Sequence, residues 1–366
     1  MWAEVDALLR GAVADGVVPG ASLAVRWPDR GRWALDVGHA EIRPRVRRVA
    51  PGLPWDLASL TKVLCTTTLA MRLVDDGRLL LDAPVTHWVA GAPAGVTVAH
   101  LLDHSSGLPA WAPLHEAVDA LGAPWGSAAA RTSVLQAVCA AGLEAAPGSR
   151  YRYSDLGFLL LGAVLESAGG DRIDRLFERL VRAPSGADLR WGWPGAAATE
   201  DCPARRRVVV GEVHDLNAAS MGGIAPHAGL FGSVDAVATL AGWLLEARDG
   251  RCPELSAETV QRFWTHVGVG SHRLGWDAVT PGGSSAGPRW PLDGVGHLAF
   301  TGCSVWVAPR QGVVVALATN RVHPEVEGGA VPDAPIAPRY AAFRSLRPVL
   351  HTAVVDALVA GGVWVD

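Results

Sequence analysis

The segment Asp56-Leu-Ala-Ser-Leu-Thr-Lys62 decides how the rest of this sequence is interpreted. It leads into an apolar pattern that predicts a helix from Ser59 to about Asp76. Residues three apart share one face of a helix, so the Ser59 hydroxyl and the Lys62 amine are expected to meet. A serine becomes a nucleophile when a base takes its proton, and a helix N-terminus presents free N–H groups to developing negative charge. The segment therefore predicts a catalytic serine paired with a lysine.

Lys62 is the single lysine among the 32 basic residues of the chain. Tyrosine and asparagine are also rare, with three and two residues, a bias typical of GC-rich codon usage. A lysine that persists against this bias indicates a position where arginine does not serve. Lysine can lose its proton in a buried site, whereas arginine effectively cannot. The composition thus singles out Lys62 independently of its spacing from Ser59.

Length and charge restrict the class of protein. The 366 residues exceed the roughly 250–300 at which one hydrophobic core stops growing, which predicts two packed lobes. A chain with 49% hydrophobic and 19% charged residues is globular, and its net charge of −4 does not suit a nucleic-acid binder. No apolar run approaches the ~18 residues of a membrane span, and the first residues lack the basic start of a signal peptide. We expect a cytoplasmic protein without nucleic-acid or membrane partners, unless an upstream start codon adds an export signal.

Strand patterns occur at both ends of the chain and helical patterns in the middle. The expected helices lie at about 2–15, 59–76, 97–103, 131–141, 155–168, 171–182, 233–247, 256–266 and 339–360. The expected strands are 21–27, 32–37, 272–276, 296–301, 304–307 and 313–318, and the proline-rich stretch 323–338 is expected to be a connector. We therefore predict an α+β fold, with an antiparallel sheet built from both termini, flanked by helices, and an inserted all-α lobe. The first lobe is predicted to comprise 1–76 and 268–366 and the second 77–267, with the site in the cleft between them.

Two further motifs follow Ser59-x-x-Lys62 in order. Tyr153-Ser-Asp155 precedes a strong helical pattern, and Gly296-His-Leu-Ala-Phe-Thr-Gly302 opens a strand pattern. The ordered set resembles the motifs Ser-x-x-Lys, Tyr-x-Asn and Lys/His-Thr-Gly of the penicillin-recognising serine hydrolases. That superfamily includes class C β-lactamases, D-Ala-D-Ala peptidases and family VIII esterases. The resemblance covers nearly the whole chain and implies a β-lactamase/transpeptidase-like fold.

The resemblance also implies a role for each motif residue. Ser59 would be acylated, and Lys62 and Tyr153 would together move its proton. The backbone N–H groups of Ser59 and Phe300 would form the oxyanion hole, and His297 would hydrogen-bond the substrate or Tyr153. Free lysine and tyrosine titrate near pH 10, so we expect the site to depress the pKa of at least one of them, by burial for lysine or by neighbouring positive charge for tyrosine. No cofactor or metal is expected.

Three residues depart from the motifs and affect the expected substrate. Asp155 replaces the asparagine of the second motif, which removes an amide donor and adds a carboxyl group. Leu298 and Ala299 replace Thr-Gly in the third motif, and leucine cannot hydrogen-bond a substrate carboxylate as threonine does. β-Lactams and D-Ala-D-Ala peptides both carry that carboxylate. We therefore expect little β-lactamase activity and a small ester, amide or peptide as substrate.

Three other functions remain open at this point. An acyltransferase would use the same acyl-enzyme with an amine or alcohol in place of water. A catalytically silent binding or sensor protein would keep the fold, which the altered Asp155, Leu298 and Ala299 favour slightly. A periplasmic peptidoglycan carboxypeptidase would need an export signal.

Two local patterns are expected to carry no chemistry. Residues 283–287 fit Gly-x-Ser-x-Gly, but the strand before and the helix after that a nucleophile elbow requires are not indicated. His100 and His104 have the i, i+4 spacing of a metal-binding pair, without an acidic third ligand at a suitable spacing.

Overall fold

A computed structural model of the chain describes residues 1–326 and 337–364. Most of the connector predicted at 323–338 lies outside the described residues. The strands are β1 Gly20–Trp27, β2 Gly31–Glu41, β3 Arg47–Arg48, β4 Trp55–Asp56, β5 Arg190–Trp191, β6 Ala198–Cys202, β7 Arg207–Val210, β8 Leu230–Gly232, β9 Asp277–Ala278, β10 Val295–Leu298, β11 Ser304–Ala308 and β12 Val313–Thr319. The α-helices are α1 Ala3–Ala14, α2 Thr68–Asp75, α3 Val98–Leu102, α4 Leu114–Leu121, α5 Ala128–Ala140, α6 Asp155–Gly169, α7 Ile173–Phe177, α8 Ala183–Ser185, α9 Leu216–Ser220, α10 Val234–Arg248, α11 Ala257–Thr265 and α12 Pro338–Ala360.

A seven-stranded antiparallel sheet joins the two ends of the chain, in the order β3-β2-β1-β12-β11-β10-β9. Strand β1 pairs with β2, where Leu23 lies opposite Leu35, and with β12, where Leu23 lies opposite Leu317. The first and last long strands are therefore neighbours. The predicted α+β architecture, with a sheet built from both termini, is confirmed.

Strand β12 shows why this sheet is buried on both faces. Val315 and Leu317 pack in one hydrophobic cluster with residues of α1 and α12, whereas Val314 and Ala316 pack in a second cluster with the helices of the middle region. Successive side chains of a strand point to opposite faces, so a continuous apolar run fits a sheet covered on both sides. The second cluster extends from the sheet into the helices. The lobe boundaries 1–76 with 268–366, and 77–267, remain a prediction.

The helix that follows Ser59 begins with an irregular turn. Residues Lys62–Thr67 are π-helical and continue directly into α2. The Thr68 hydroxyl bonds to the Val63 carbonyl, five residues earlier, at 2.8 Å. π-Helical turns are rare and are frequent at functional sites. The predicted helix at 59–76 is present, with a distorted first half.

One strand prediction at the site was wrong, and a second strand is shorter than predicted. Residues 272–276 form bends, with an isolated bridge from His272 to Asp277, and the strand is β9. Gly275 has φ +83°, which turns the chain and ends any extended segment there. The strand of the third motif ends at Leu298, three residues earlier than predicted.

Two small sheets, β4-β8-β5 and β6-β7, were not predicted from the sequence. Their strands have two to five residues, too short for an alternating pattern to be recognised. Within the described ranges, no helix combines the length and apolar character required to traverse a lipid bilayer.

Candidate active site

The Ser59 hydroxyl oxygen lies 3.0 Å from the Lys62 amine, as the i, i+3 spacing predicts. The Lys62 side chain is completely buried, and its Nζ also contacts the His227 carbonyl at 3.3 Å and the Asp155 carboxylate at 2.7 Å. Three segments that are far apart in sequence thus converge on one amine. The structure brings the first two motifs together at Ser59.

The backbone turn before Ser59 is strained and is held by a buried carboxylate. Ala58 has φ +42°, in the left-handed region that non-glycine residues rarely adopt. Asp56 accepts a hydrogen bond from the Ala58 N–H at 2.8 Å with one carboxylate oxygen, and from the His214 N–H at 2.7 Å with the other. Strain of this kind persists where the surrounding contacts impose it. Asp56 therefore fixes the direction from which the chain reaches Ser59.

The loop of the third motif is tied to the same turn. The buried Thr301 hydroxyl donates to the Asp56 carbonyl at 2.9 Å. Gly302, with φ +100°, leaves no room for a Cβ, which would meet the Thr319 hydroxyl. Within the described part of the chain, the N–H groups of Ser59 and Phe300 donate to no protein acceptor. Two free N–H groups in segments held together in this way suit an oxyanion hole.

Tyr153 packs beside the amine, with Lys62 Nζ 5.0 Å from its ring centroid. Burial raises the pKa of Tyr153, and the neighbouring Lys62 offsets part of that rise. For Lys62, burial lowers the pKa, but Asp155 and Tyr153 together outweigh burial, and the net pKa is raised. The expectation that the site depresses one of these two pKa values was wrong. For Tyr153 the main reason is burial, and for Lys62 it is Asp155, a carboxylate where the motif has a neutral amide.

Three buried histidines surround Tyr153. The ring of His104 is 4.4 Å from the Tyr153 ring, and those of His272 and His297 are at 5.7 and 5.9 Å. Burial lowers the pKa of His104 and of His297 well below 6.5, and lowers that of His272 to about 3. All three are therefore neutral at pH 7. His297 donates from Nδ1 to the Leu298 carbonyl at 2.7 Å and does not bond to Tyr153.

The same three histidines have possible metal-ligand atoms within 4.8 Å of one another. The position of the proton on His104 argues against a metal ion at this cluster. The Ser154 N–H donates to Nδ1 of His104 at 3.1 Å, so Nε2 of the neutral ring carries the proton and cannot be a ligand. A bound metal ion would also be repelled by the positive charge of the nearby buried Lys62. His100, the other half of the sequence pair, bonds through Nδ1 to the Thr97 N–H in a capping box. Neither arrangement fits a metal site.

A loop before β8 supplies the carbonyl that Lys62 contacts. His227 and Asp215 form a pair at 3.0 Å, and Asp215 also caps helix α9 by accepting from the Ala218 N–H at 2.7 Å. Burial favours the neutral carboxyl of Asp215, but His227 and this hydrogen bond prevail and hold its pKa below the usual range. The pair thus fixes the position of the His227 carbonyl.

Sequence reasoning missed four contributors to this site: Asp56, His227, His272 and Thr301. His272 was predicted to lie in a strand. His227 acts through its backbone carbonyl, whereas Asp56 and Thr301 hold backbone groups in position through their side chains. No spacing rule indicates such a role. His104 has a φ of +59°, which is a second local strain at the site.

The sheet order and the helices inserted between its strands define the β-lactamase/transpeptidase-like fold. The chain belongs to the Beta-lactamase family, whose model matches residues 5–335. This confirms the resemblance to the penicillin-recognising serine hydrolases.

Relatives and solved structures agree with this placement. A putative D-alanyl-D-alanine carboxypeptidase of Escherichia coli O157:H7 is 28% identical over 317 residues, covering 76% of this chain and 71% of that protein. EstCE1, described as a hydrolase with promiscuous acyltransferase activity, has a TM-score of 0.71 at 22% identity, with 94% and 97% of the two chains covered. Simvastatin Synthase (LovD) from Aspergillus terreus has a TM-score of 0.69 at 17% identity, with 96% and 97% covered. At these identities the two structural likenesses establish the fold alone.

Proposed function

We propose that this protein hydrolyses a small ester or amide through a covalent acyl-Ser59 intermediate. The observation that carries the proposal is the 3.0 Å contact between the Ser59 hydroxyl and the buried Lys62 amine. Lys62 and Tyr153 move the serine proton, and the N–H groups of Ser59 and Phe300 stabilise the oxyanion. The family includes hydrolases of this kind, and the E. coli relative carries the name of a carboxypeptidase.

Proton transfer sets the condition under which the site reacts. Both Lys62 and Tyr153 have raised pKa values, so both hold their protons at pH 7. One proton must leave this pair before it can accept the proton of Ser59. The acyl-enzyme then forms as the serine oxygen bonds to the acyl carbon and the leaving group departs. Water deprotonated by the same pair releases the acid.

The third motif supports an ester, amide or peptide substrate over a β-lactam. His297 is neutral and its Nδ1 is engaged with a backbone carbonyl, so it offers no positive charge to a carboxylate. Leu298 offers no hydroxyl. Acyl transfer is the second candidate, since EstCE1 is described with that activity and the reaction diverges only when the acyl group leaves Ser59.

The test is the intact mass of the protein after a fluorophosphonate probe, with p-nitrophenyl butyrate turnover followed in parallel. We expect one adduct, mapped to Ser59 and lost in Ser59→Ala. In the presence of added methanol, hydrolysis yields butyrate and acyl transfer yields methyl butyrate. The product therefore distinguishes the two reactions. Folded protein with neither adduct nor turnover would be the silent binding protein.

A further inference from the structure

Among the described side chains around Ser59, one ion pair is in direct contact with the serine, that of Lys62 with Asp155. The other titratable side chains beside Tyr153, the histidines at 104, 272 and 297, are neutral. A substrate that brings a charge next to Ser59 must therefore interact with one member of the pair. The two members differ in how they can be reached.

Asp155 is partly exposed and Lys62 is not. The Asp155 side chain retains 19% of its surface, whereas the Lys62 side chain retains none. The Asp155 oxygen that pairs with Lys62, Oδ1, is itself buried. The Asp155 N–H is bonded to the Ala110 carbonyl at 2.8 Å, which keeps the residue in place at the start of α6. A bound molecule can thus touch the carboxylate without displacing the lysine side chain.

Asp155 lies at the start of its helix. It is the first residue of α6, directly after Ser154, whose hydroxyl caps the helix by accepting from the Gly157 N–H at 2.9 Å. The N-terminus of a helix stabilises negative charge. The helix therefore provides Asp155 with a favourable interaction that does not depend on Lys62.

The Asp155 carboxylate lies close to the Ser59 hydroxyl. Contacts of 3.0 Å and 2.7 Å lead from the Ser59 hydroxyl through the Lys62 amine to the carboxylate. An amino group carried on the carbon next to the acyl carbon, or one carbon further, can span this interval while the serine attacks. A carboxylate in the same place would face Asp155 directly.

We propose that the Asp155 carboxylate binds an ammonium group on the acyl part of the substrate, so that aminoacyl esters and amides are the preferred substrates. This inference rests on the proposed function, because it assumes that Ser59 is acylated. It assigns a role to the residue that most clearly departs from the superfamily motif.

The bound ammonium also activates the nucleophile. It takes the place of Lys62 as the counter-ion of Asp155, and its positive charge drives one proton from Lys62 to solvent. The neutral Lys62 amine accepts the proton of the Ser59 hydroxyl as the serine oxygen bonds to the acyl carbon. Lys62 then passes this proton to the leaving alkoxide or amine as its bond to the acyl carbon breaks. A substrate without the ammonium leaves Lys62 protonated and reacts more slowly.

The experiment compares three methyl esters of alanine at pH 7, each as both enantiomers: the free amino ester, the N-acetyl ester and the N-succinyl ester. The amino ester carries a cation on the carbon next to the acyl carbon, the N-acetyl ester carries no charge, and the N-succinyl ester carries an anion at the end of a longer N-acyl arm. We expect kcat/KM of the amino ester to exceed that of the N-acetyl ester by about 10-fold or more, with the N-succinyl ester slowest. In Asp155→Asn the ratio of kcat/KM for the amino ester to that for the N-acetyl ester should fall below about 3-fold. The kcat/KM of the N-succinyl ester should increase relative to those of the other two esters.

Asp235→Asn is the matched control, because Asp235 lies in the first turn of α10 and pairs with the exposed Arg32 at 2.6 Å. It should keep the wild-type preference. The wild-type ratios decide the matter even if Asp155→Asn fails to fold. A protein that forms the fluorophosphonate adduct at Ser59 but has no preference for the amino ester, or does not hydrolyse it, overturns this inference alone. A protein without the adduct overturns the proposed function.

Discussion

The hydroxyl of Thr301 donates a hydrogen bond of 2.9 Å to the carbonyl of Asp56, three residues before Ser59. This contact joins the loop that carries the Phe300 N–H to the turn that carries the nucleophile, across more than 240 residues of sequence. Both groups are buried. The separation of the two proposed oxyanion donors therefore depends on a side chain that touches no substrate.

Thr301→Val should lower kcat/KM for p-nitrophenyl butyrate by about 10- to 100-fold, mainly through kcat, because a small displacement of an oxyanion donor is costly. Valine has the shape of threonine without the hydroxyl, and Thr301→Ser should restore most of the activity. Steady-state kinetics of both variants check this. Thr199→Val is the control, since it removes a buried hydroxyl that bonds to the Val209 carbonyl in the β6-β7 hairpin. Equal losses in both valine variants would contradict the positioning role.

Asp155→Asn should move the limb on which kcat/KM increases with pH to lower pH. The carboxylate raises the pKa values of both Lys62 and Tyr153, so its removal lets either group lose its proton at a lower pH. For a neutral ester, activity at pH 7 then increases, since more of the enzyme has the deprotonated pair. Profiles from pH 6 to 10 measure the shift, and an unchanged limb would show that neither group is the titrating base.

The protein should lose stability between pH 6.5 and pH 5. His104, His272 and His297 have folded pKa values below the unfolded value of 6.5, that of His272 being about 3. The unfolded chain therefore binds more protons, and stability that is complete above pH 6.5 is lost as the pH falls towards the folded values. At pH 5.5 each histidine costs about 1.4 kcal/mol.

Asp277 opposes this loss, because burial raises its pKa to about 6 and so disfavours the native state as the pH rises through that value. Burial also raises the pKa values of Asp36 and Asp56, which act with Asp277. His323 and His351 add to the loss, because burial lowers their pKa values, that of His351 to about 4. Urea unfolding at pH 7.5, 6.5, 5.5 and 5 measures the sum, and a free energy of unfolding that stays level or increases on acidification would contradict the prediction. His272→Gln should reduce the slope.

Nitrocefin turnover should remain far below p-nitrophenyl butyrate turnover. The double variant Leu298→Thr, Ala299→Gly restores the hydroxyl that a substrate carboxylate needs, and a hydrogen bond to a charged group contributes about 1.5–3 kcal/mol. The ratio of nitrocefin to ester kcat/KM should therefore increase by about 10- to 100-fold. Comparable turnover of both substrates by the wild-type protein would refute the argument from Leu298.

The sequence by itself determined the architecture and the residues of the proposed nucleophilic pair. The strand patterns at the two ends of the chain and the helical patterns of the middle region are local signals, and they predicted the sheet and most helices. The spacing from Ser59 to Lys62 also predicts their contact, since both belong to one turn of helix. The strand predicted at 272–276 is absent because Gly275 adopts a left-handed conformation, with φ +83°, that turns the chain.

Only the tertiary structure decided the electrostatics of the site. The pKa of Lys62 depends on Asp155, which is 93 residues away in sequence and 2.7 Å away in space. Burial alone would lower the pKa of Lys62, as the sequence suggested. The net shift is upward because a carboxylate lies beside the amine. Energies of ion pairs and hydrogen bonds depend on distances between residues that no local pattern relates, and therefore the charge state of the site follows from the fold.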